Sequence, residues 1–321
     1  MSVDLRNKRI LVTGASGFLG RHLMPVLRKR YGQRAVLGVS SRDYDLIDPS
    51  RVTRMFEELR PEVLIHLAAY SGGIAANREF PADFYYRNTL LTCLVFNEAA
   101  KFRVEKVLYP MGGCSYPATA HSPIDESQIW DGFPQPESAA YSTAKKMGII
   151  ASDSYRRQHG LNSVVIIPGN MYGEYDNFHL RDSHVVPAMI RRCFEAVQSK
   201  QERVVMWGTG SPVRDFVYAG DVAETVPWFL ENFDETGPVN VSTGTMTSIR
   251  ELAEAVAAAV GFVGAIEWDS SQPDGQKVKI FDVSRLRSLG LCCPTPLTEG
   301  VQRTAAWFAA NYRTGGDGIR L

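Results

Sequence analysis

Arg9-Ile10-Leu11-Val12-Thr13-Gly14-Ala15-Ser16-Gly17-Phe18-Leu19-Gly20 reads as a short strand, a glycine turn and the start of a helix that continues to about Arg30. After its first residue the strand is apolar and β-branched, as a strand buried on both faces would be. Glycines at the turn let main chain approach a pyrophosphate closely. The helix start adds unpaired N–H groups and a partial positive charge. The spacing is G-x-x-G-x-x-G rather than G-x-G-x-x-G, but its place between strand and helix points to a dinucleotide site.

Outward from this turn, strand and helix alternate. Ala35-Val36-Leu37-Gly38-Val39 is the expected second strand. An NAD site usually carries an acidic residue at its end for the ribose 2′-OH. Here Ser40-Ser41-Arg42 offers hydroxyls and a guanidinium suited to a 2′-phosphate, which favours NADP (NADPH) over NAD, with Asp43 one residue on. Asp48 is placed where it could meet the adenine ring. Val63 to Ala69 is the third strand, its tail at Leu67 and Ala68 lying where a cofactor could press on main chain, and His66 reads as a packed strand histidine. A long helix follows from about Pro81 to Lys101. Val104–Tyr109 is the next strand and ends in Met111-Gly112-Gly113-Cys114-Ser115-Tyr116-Pro117. Ser163–Ile167 is another strand, turning at Pro168-Gly169-Asn170. This pattern predicts an α/β fold, a doubly wound parallel sheet of Rossmann type with helices on both faces.

Beyond residue 173 the alternation loosens. The sequence suggests a dinucleotide-binding domain over 1–173 with a return strand within about 218–245, at Val239-Asn240-Val241-Ser242. A smaller C-terminal substrate-binding lobe is expected from 174–217 and 246–321. Its expected elements are a helix from Val185 to about Lys200, a turn at Trp207-Gly208-Thr209-Gly210, and two helices around a loop at Pro273-Asp274-Gly275.

Composition narrows the function classes. With 35 basic and 35 acidic residues the formal charge is zero, so nucleic acid and anionic membranes are not expected partners. No apolar run approaches the ~20 residues of a membrane span, and the polar Met1–Lys8 is not expected to be a secretory leader. Five scattered cysteines show no zinc spacing and suit a reducing cytoplasm. No metal is expected.

Tyr141-Ser142-Thr143-Ala144-Lys145 sets a phenol and an ammonium four residues apart, on one face of a helix. A nearby cation favours phenolate, which would make the hydroxyl a more usable acid or base near neutrality. The spacing is common by chance; its weight comes from the glycine turn and the strand-end loop that accompany it.

With these in hand, the chain resembles the extended short-chain dehydrogenase/reductase superfamily and, within it, the GDP-L-fucose synthase family. The more specific segments are Ser71-Gly72-Gly73-Ile74-Ala75-Ala76-Asn77, Cys114-Ser115-Tyr116-Pro117, Asp176-Asn177-Phe178-His179 with Ser183-His184-Val185-Val186-Pro187, Arg191-Arg192, Trp207-Gly208-Thr209-Gly210, Arg214-Asp215-Phe216, and Pro273-Asp274-Gly275 with Lys279. The resemblance implies a 3,5-epimerase and 4-reductase acting on a GDP-linked 4-keto-6-deoxyhexose with NADP. Carried over, Tyr141 and Lys145 match the catalytic pair, and Cys114 and His184 the epimerisation acid/base pair. Gly14, Ser16, Gly17, Phe18 and Leu19 match the cofactor turn. Cofactor contacts are also expected from Ser41, Arg42, Asp48, Leu67, Ala68, Pro168, Asn170 and His184. Arg192, Trp207, Arg214, Asp274 and Lys279 fall where the family contacts its GDP-sugar, and Asn170 lines the same pocket. The helices at about 81–101 and 138–160 would pair in a homodimer.

A ketone at C4 acidifies the protons on C3 and C5, and a thiol and an imidazole can exchange acid and base roles there near neutrality. Tyr141 would protonate O4 as a hydride reaches C4, and Lys145 would bind the nicotinamide ribose. Plainer roles stand beside these: Cys114 as a small filler, His184 as a helix-start histidine, and Arg214 as the ion-pair partner of Asp215. One position departs from the superfamily: a Ser or Thr is usual four residues before Tyr116, and here that residue is Gly112, so Ser115, Ser142 or water would have to stand in. The competing readings are an epimerase-only relative, a reductase of a different keto sugar, and a non-catalytic NADP-binding module.

Overall fold

The computed structural model describes residues 4–179, 182–272 and 274–312; Pro273 of the loop quoted above lies outside the described residues. Packing divides the chain into two compact units. The first holds residues up to Ala120, Glu126–Pro168 and Val222–Val241; the second holds His121–Asp125, Gly169–Asp221 and residues from Ser242 onward.

In the first unit, strand β1 (Ile10–Thr13) pairs in parallel with β2 (Val36–Val39) on one side and β3 (Val63–His66) on the other. The sheet continues through β4 (Lys106–Pro110) and β5 (Asn162–Pro168) to the strand Val239–Val241, all parallel, giving six strands. The chain winds outward from β1 to β2, then returns past β1 to β3. That reversal makes a topological switch point between the carboxyl ends of β1 and β3, where open α/β sheets bind ligands. Ile10, Leu11, Val12, Leu64, Ile65, Val107, Leu108 and Ile166 are fully or almost fully buried, so the sheet is covered on both faces, as its apolar runs predict. Around it lie α1 (Phe18–Tyr31), α2 (Pro49–Leu59), α3 (Ile74–Glu79), α4 (Pro81–Lys101) and α5 (Ala139–His159). A Cβ at Gly148 of α5 would run into the ring of Tyr109, so this glycine lets α5 close on β4.

The second unit has its own core, in which Phe178, Ile190, Phe194, Val256, Val301 and Phe308 meet. Helices Val185–Gln198, Ile249–Val260 and Leu297–Tyr312 enclose it. Three small sheets complete the unit. Arg203–Trp207 pairs with Ala265–Asp269; Val213–Arg214 lies between Thr247–Ser248 and Val278–Lys279; Asn170–Tyr172 pairs with Phe216–Tyr218. This corrects the expectation of two helices after residue 246. The described residues there form three helices and three short strands, and segments of two to five residues carry too little periodicity to be read locally.

Candidate functional site

The glycine turn after β1 is built for close approach. Gly14 has φ +69°, and a Cβ there would come within 2.8 Å of the Ala68 nitrogen, so the turn and the tail of β3 touch through main chain at the switch point. Gly17 N–H donates back to the Gly14 carbonyl at 2.9 Å and begins α1 without a side-chain cap. The first-turn N–H groups, Phe18 and Leu19 among them, have no carbonyl four residues back to bond within the helix. Beneath the turn, buried Thr13 ties the two strands: its Oγ1 accepts from Ala68 N–H at 3.3 Å and lies 2.8 Å from His66 Nδ1. Burial, then the Lys145 ammonium, holds the His66 imidazole down at about 3, so it is neutral. His66 is a packing residue.

At the end of β2, the acidic group nearest the place of an NAD-type carboxylate is exposed but engaged by its own turn. The Asp43 carboxylate accepts from both the N–H and the hydroxyl of Ser40 at 2.8 Å, which also holds it below its ordinary range. Ser41 and Arg42 stay exposed. Asp48 is the N-cap of α2, its Oδ1 accepting from Ser50 N–H at 2.8 Å and Ser50 Oγ at 2.7 Å. That oxygen is therefore committed to the helix.

The strand-end loop after β4 turns once, at Gly113–Ser115, and sets Cys114 beside Tyr141. The reference point is Gly112: a Cβ there would lie 3.1 Å from Cys114 Sγ and 3.8 Å from Tyr141 Oη. Tyr141 rises from α5 with its ring edge-on to Phe84 at 6.1 Å, and Phe84 packs on Tyr70 at 4.8 Å. Asn88 pins the loop after β3, accepting from Tyr70 N–H at 3.0 Å and donating to Tyr70 O at 2.9 Å. Lys145 is buried, its ammonium 4.0 Å from the centroid of the Tyr109 ring. The expected lowering of the phenol does not occur: burial raises the Tyr141 hydroxyl, with Cys114 and Tyr109 adding to the shift. Neither of the two serines suggested as stand-ins for a hydroxyl at 112 is free to serve. Ser115 Oγ donates to Ser142 O at 3.0 Å, and Ser142 Oγ donates to Ser138 Oγ at 3.3 Å.

Within the second unit the expected substrate residues form a connected series. Arg192 donates to Val205 O at 2.7 Å, in the strand that ends at Trp207, a residue 67% exposed. The turn after Trp207 has Gly208 and Gly210 at positive φ, and Thr209 N–H and Oγ1 donate to Asp274 at 2.7 and 2.8 Å. Asp274 acts electrostatically on Arg214, and Lys279 stands opposite Arg214 in the parallel pair. Arg214 is not the ion-pair partner of Asp215. Its Nη1 donates to Val213 O at 2.9 Å and Gln276 O at 2.6 Å. Asp215 is fully buried and accepts from Thr243 Oγ1 at 2.6 Å, Gly244 N–H at 3.0 Å and Phe281 N–H at 3.4 Å. Burial, outweighing these donors, raises its carboxyl. Asn170 donates its amide to Asp215 O at 2.9 Å. Pro168 closes β5 in register with Val241. His184 is the exposed N-cap residue of the helix Val185–Gln198, so it does sit at a helix start, but among the described residues its ring makes no hydrogen bond. Sequence reasoning missed Phe84, Tyr109 and the anchoring role of Asp215. Only Asp215, an acid directly before the apolar run Phe216-Val217-Tyr218, left a local signal.

A family model described as NAD dependent epimerase/dehydratase family matches residues 10–242. The chain belongs to that family. Among relatives of this epimerase/dehydratase, the GDP-L-fucose synthase 1 of Arabidopsis thaliana is 36% identical over 310 residues, covering 97% of this chain and 96% of that one. A GDP-L-fucose synthetase from Naegleria fowleri bound to NADP superposes with a TM-score of 0.88 at 27% identity, covering 98% and 97% of the two chains. A GDP-6-OMe-4-keto-L-xylo-heptose reductase from C. jejuni gives 0.89 at 26% identity, covering 98% and 100%. Among the described residues of this family member, no helix is long and apolar enough to cross a membrane, and no cluster of His, Cys, Asp or Glu could hold a metal.

Proposed function

We propose that the chain is an NADP-dependent epimerase and reductase of a GDP-linked 4-keto-6-deoxyhexose. The observation that carries this reading is the convergence of Cys114 Sγ and Tyr141 Oη on the side of Gly112, a thiol and a buried phenol within one substrate-sized neighbourhood. The residues fit the cofactor. A Cβ would fill the Gly14 cradle, and exposed Ser41 and Arg42 beside an engaged Asp43 suit a 2′-phosphate. The Arabidopsis relative named for GDP-L-fucose synthesis and the NADP-bound Naegleria structure support the same assignment.

NADPH, when bound, supplies the hydride to C4 of the sugar. The chain supplies the rest. Cys114 and His184 move protons at C3 and C5, one acting as base while the other acts as acid, and the charge of the resulting enolate collects on O4. Tyr141 gives O4 its proton, and burial keeps that proton on the phenol until the oxyanion forms. Lys145, fixed over Tyr109, orients the nicotinamide ribose. Trp207 stacks on the guanine while Arg192, Arg214 and Lys279 neutralise the diphosphate, with Asp274 holding the turn that presents Trp207.

Incubation with the keto sugar in D₂O tests the reading: deuterium at C3 or C5 together with stoichiometric NADPH oxidation supports both activities. Exchange without oxidation leaves an epimerase alone, and oxidation without exchange a 4-reductase alone. We also assign the chain to the reducing cytoplasm, in keeping with its five free cysteines, and to a homodimer. Exposed Tyr85 and Tyr86 on α4 and Met147 and Ile150 on α5 would meet a second copy. A monomer in sedimentation equilibrium would exclude the dimer.

A further inference from the structure

A carbonyl oxygen that gathers negative charge inside a protein is stabilised by several aimed donors, and each is worth a large factor in rate. On the reading above, on which this inference rests, Tyr141 is one donor to the sugar O4. The surrounding hydroxyls are committed elsewhere. Ser115 is fully buried and bonds Ser142 O, Ser142 bonds Ser138, Tyr109 Oη lies 3.0 Å from Thr92 Oγ1, and Tyr116 Oη donates to Asn240 Oδ1 at 2.7 Å.

Gly112 is not there for its backbone. Its φ of −78° and ψ of 141° suit any residue. Its reason is spatial: a Cβ would lie 3.1 Å from Cys114 Sγ, tighter than an ordinary contact, and 3.6 and 3.8 Å from Cε1 and Oη of Tyr141. The side of residue 112 therefore faces both reacting groups, and a hydroxyl seated there reaches hydrogen-bonding distance of whatever Tyr141 bonds.

We propose that Gly112 is a specificity-determining position that keeps room beside Tyr141 for a hydroxyl from outside the chain, which donates to O4 together with the phenol. Two sources share that chemistry: a hydroxyl of the sugar itself, or a water molecule. Filling the room with carbon removes the donor, whereas filling it with a serine replaces it.

The test compares Gly112→Ala and Gly112→Ser after NADPH binding to each, followed by nicotinamide fluorescence, has shown an intact cofactor site. Gly112→Ala is expected to lower kcat for NADPH oxidation by about 10²-fold with little change in KM, and Gly112→Ser to stay near wild type. If Ala and Ser fall together, the glycine serves only to seat Cys114 and the proposal is overturned. It is equally overturned if Ala retains the wild-type kcat. If wild type turns over no GDP-linked keto sugar, the functional reading has failed, and this inference with it. Matched GDP-4-keto-6-deoxyhexoses with and without the C3 hydroxyl, the one vicinal to the ketone, separate the sources. A preference for the hydroxylated sugar that vanishes in Gly112→Ser assigns the donor to the substrate, and equal turnover assigns it to water.

Discussion

Around Gly14 the protein is built of closely approaching main chain; around Arg214 it is built of side chains braced by other groups. In the first region a missing Cβ decides the geometry, since turn and β3 tail touch through backbone atoms and a methyl at Gly14 would meet the Ala68 nitrogen. In the second, the guanidinium of Arg214 is braced by the carbonyls of Val213 and Gln276, and the loops around it are held by one buried carboxylate, Asp215. A backbone-built surface tolerates no added atoms but is indifferent to charge. A side-chain surface accepts changes of shape yet loses its affinity with a single cation.

The contrast is testable in order of effect. Tyr141→Phe removes the only proton assigned to O4 and should lower kcat for NADPH oxidation by about 10³-fold while leaving NADPH binding intact; equal losses in Kd would make Tyr141 a binding residue. A pH effect distinguishes the packed base of the first region. The folded-state His66 lies at about 3 against 6.5 for the free group, so the unfolded chain binds the extra proton. Its contribution is complete above 6.5 and is lost as pH falls. Wild type should lose about 1.4 kcal/mol of stability per pH unit below 6.5 relative to His66→Gln, read from denaturant melts of both proteins; parallel curves would refute the burial. In the second region, Arg214→Ala should raise KM for the GDP-sugar by about 10- to 100-fold without altering NADPH affinity. The smallest effect belongs to an exposed charge. Arg42→Ala should narrow the preference for NADPH over NADH by about tenfold, measured as the ratio of kcat/KM values.

The same division explains what could be read in the residues. Strand, glycine turn and helix at 9–30, and the Tyr141/Lys145 spacing, are local patterns with a local cause, and the sheet they predict is the one observed. The surroundings of the phenol are not local. Lys145 comes to rest over Tyr109, and Ser115 turns away from Tyr141, because α5 closes on β4 at Gly148. Gly148 is close to Lys145 in the chain, but the Tyr109 ring it closes on comes from β4, 36 residues before Lys145. Asp215 shows the same limit, since its donors come from residues 243, 244 and 281. Beside Arg214 it invited a simple ion pair, and the fold instead gave it buried amides.

Those amides carry one more consequence. Thr243 and Gly244 lie in a segment with no helix or strand, where main-chain hydrogens ordinarily trade with solvent within seconds, yet Gly244 N–H is held at 3.0 Å by a carboxylate with no exposed surface. Deuterium should therefore enter this irregular stretch as slowly as it enters a buried strand, and should enter Thr243, Gly244 and Phe281 together when Asp215 is replaced by alanine. By that clock the loop belongs to the core.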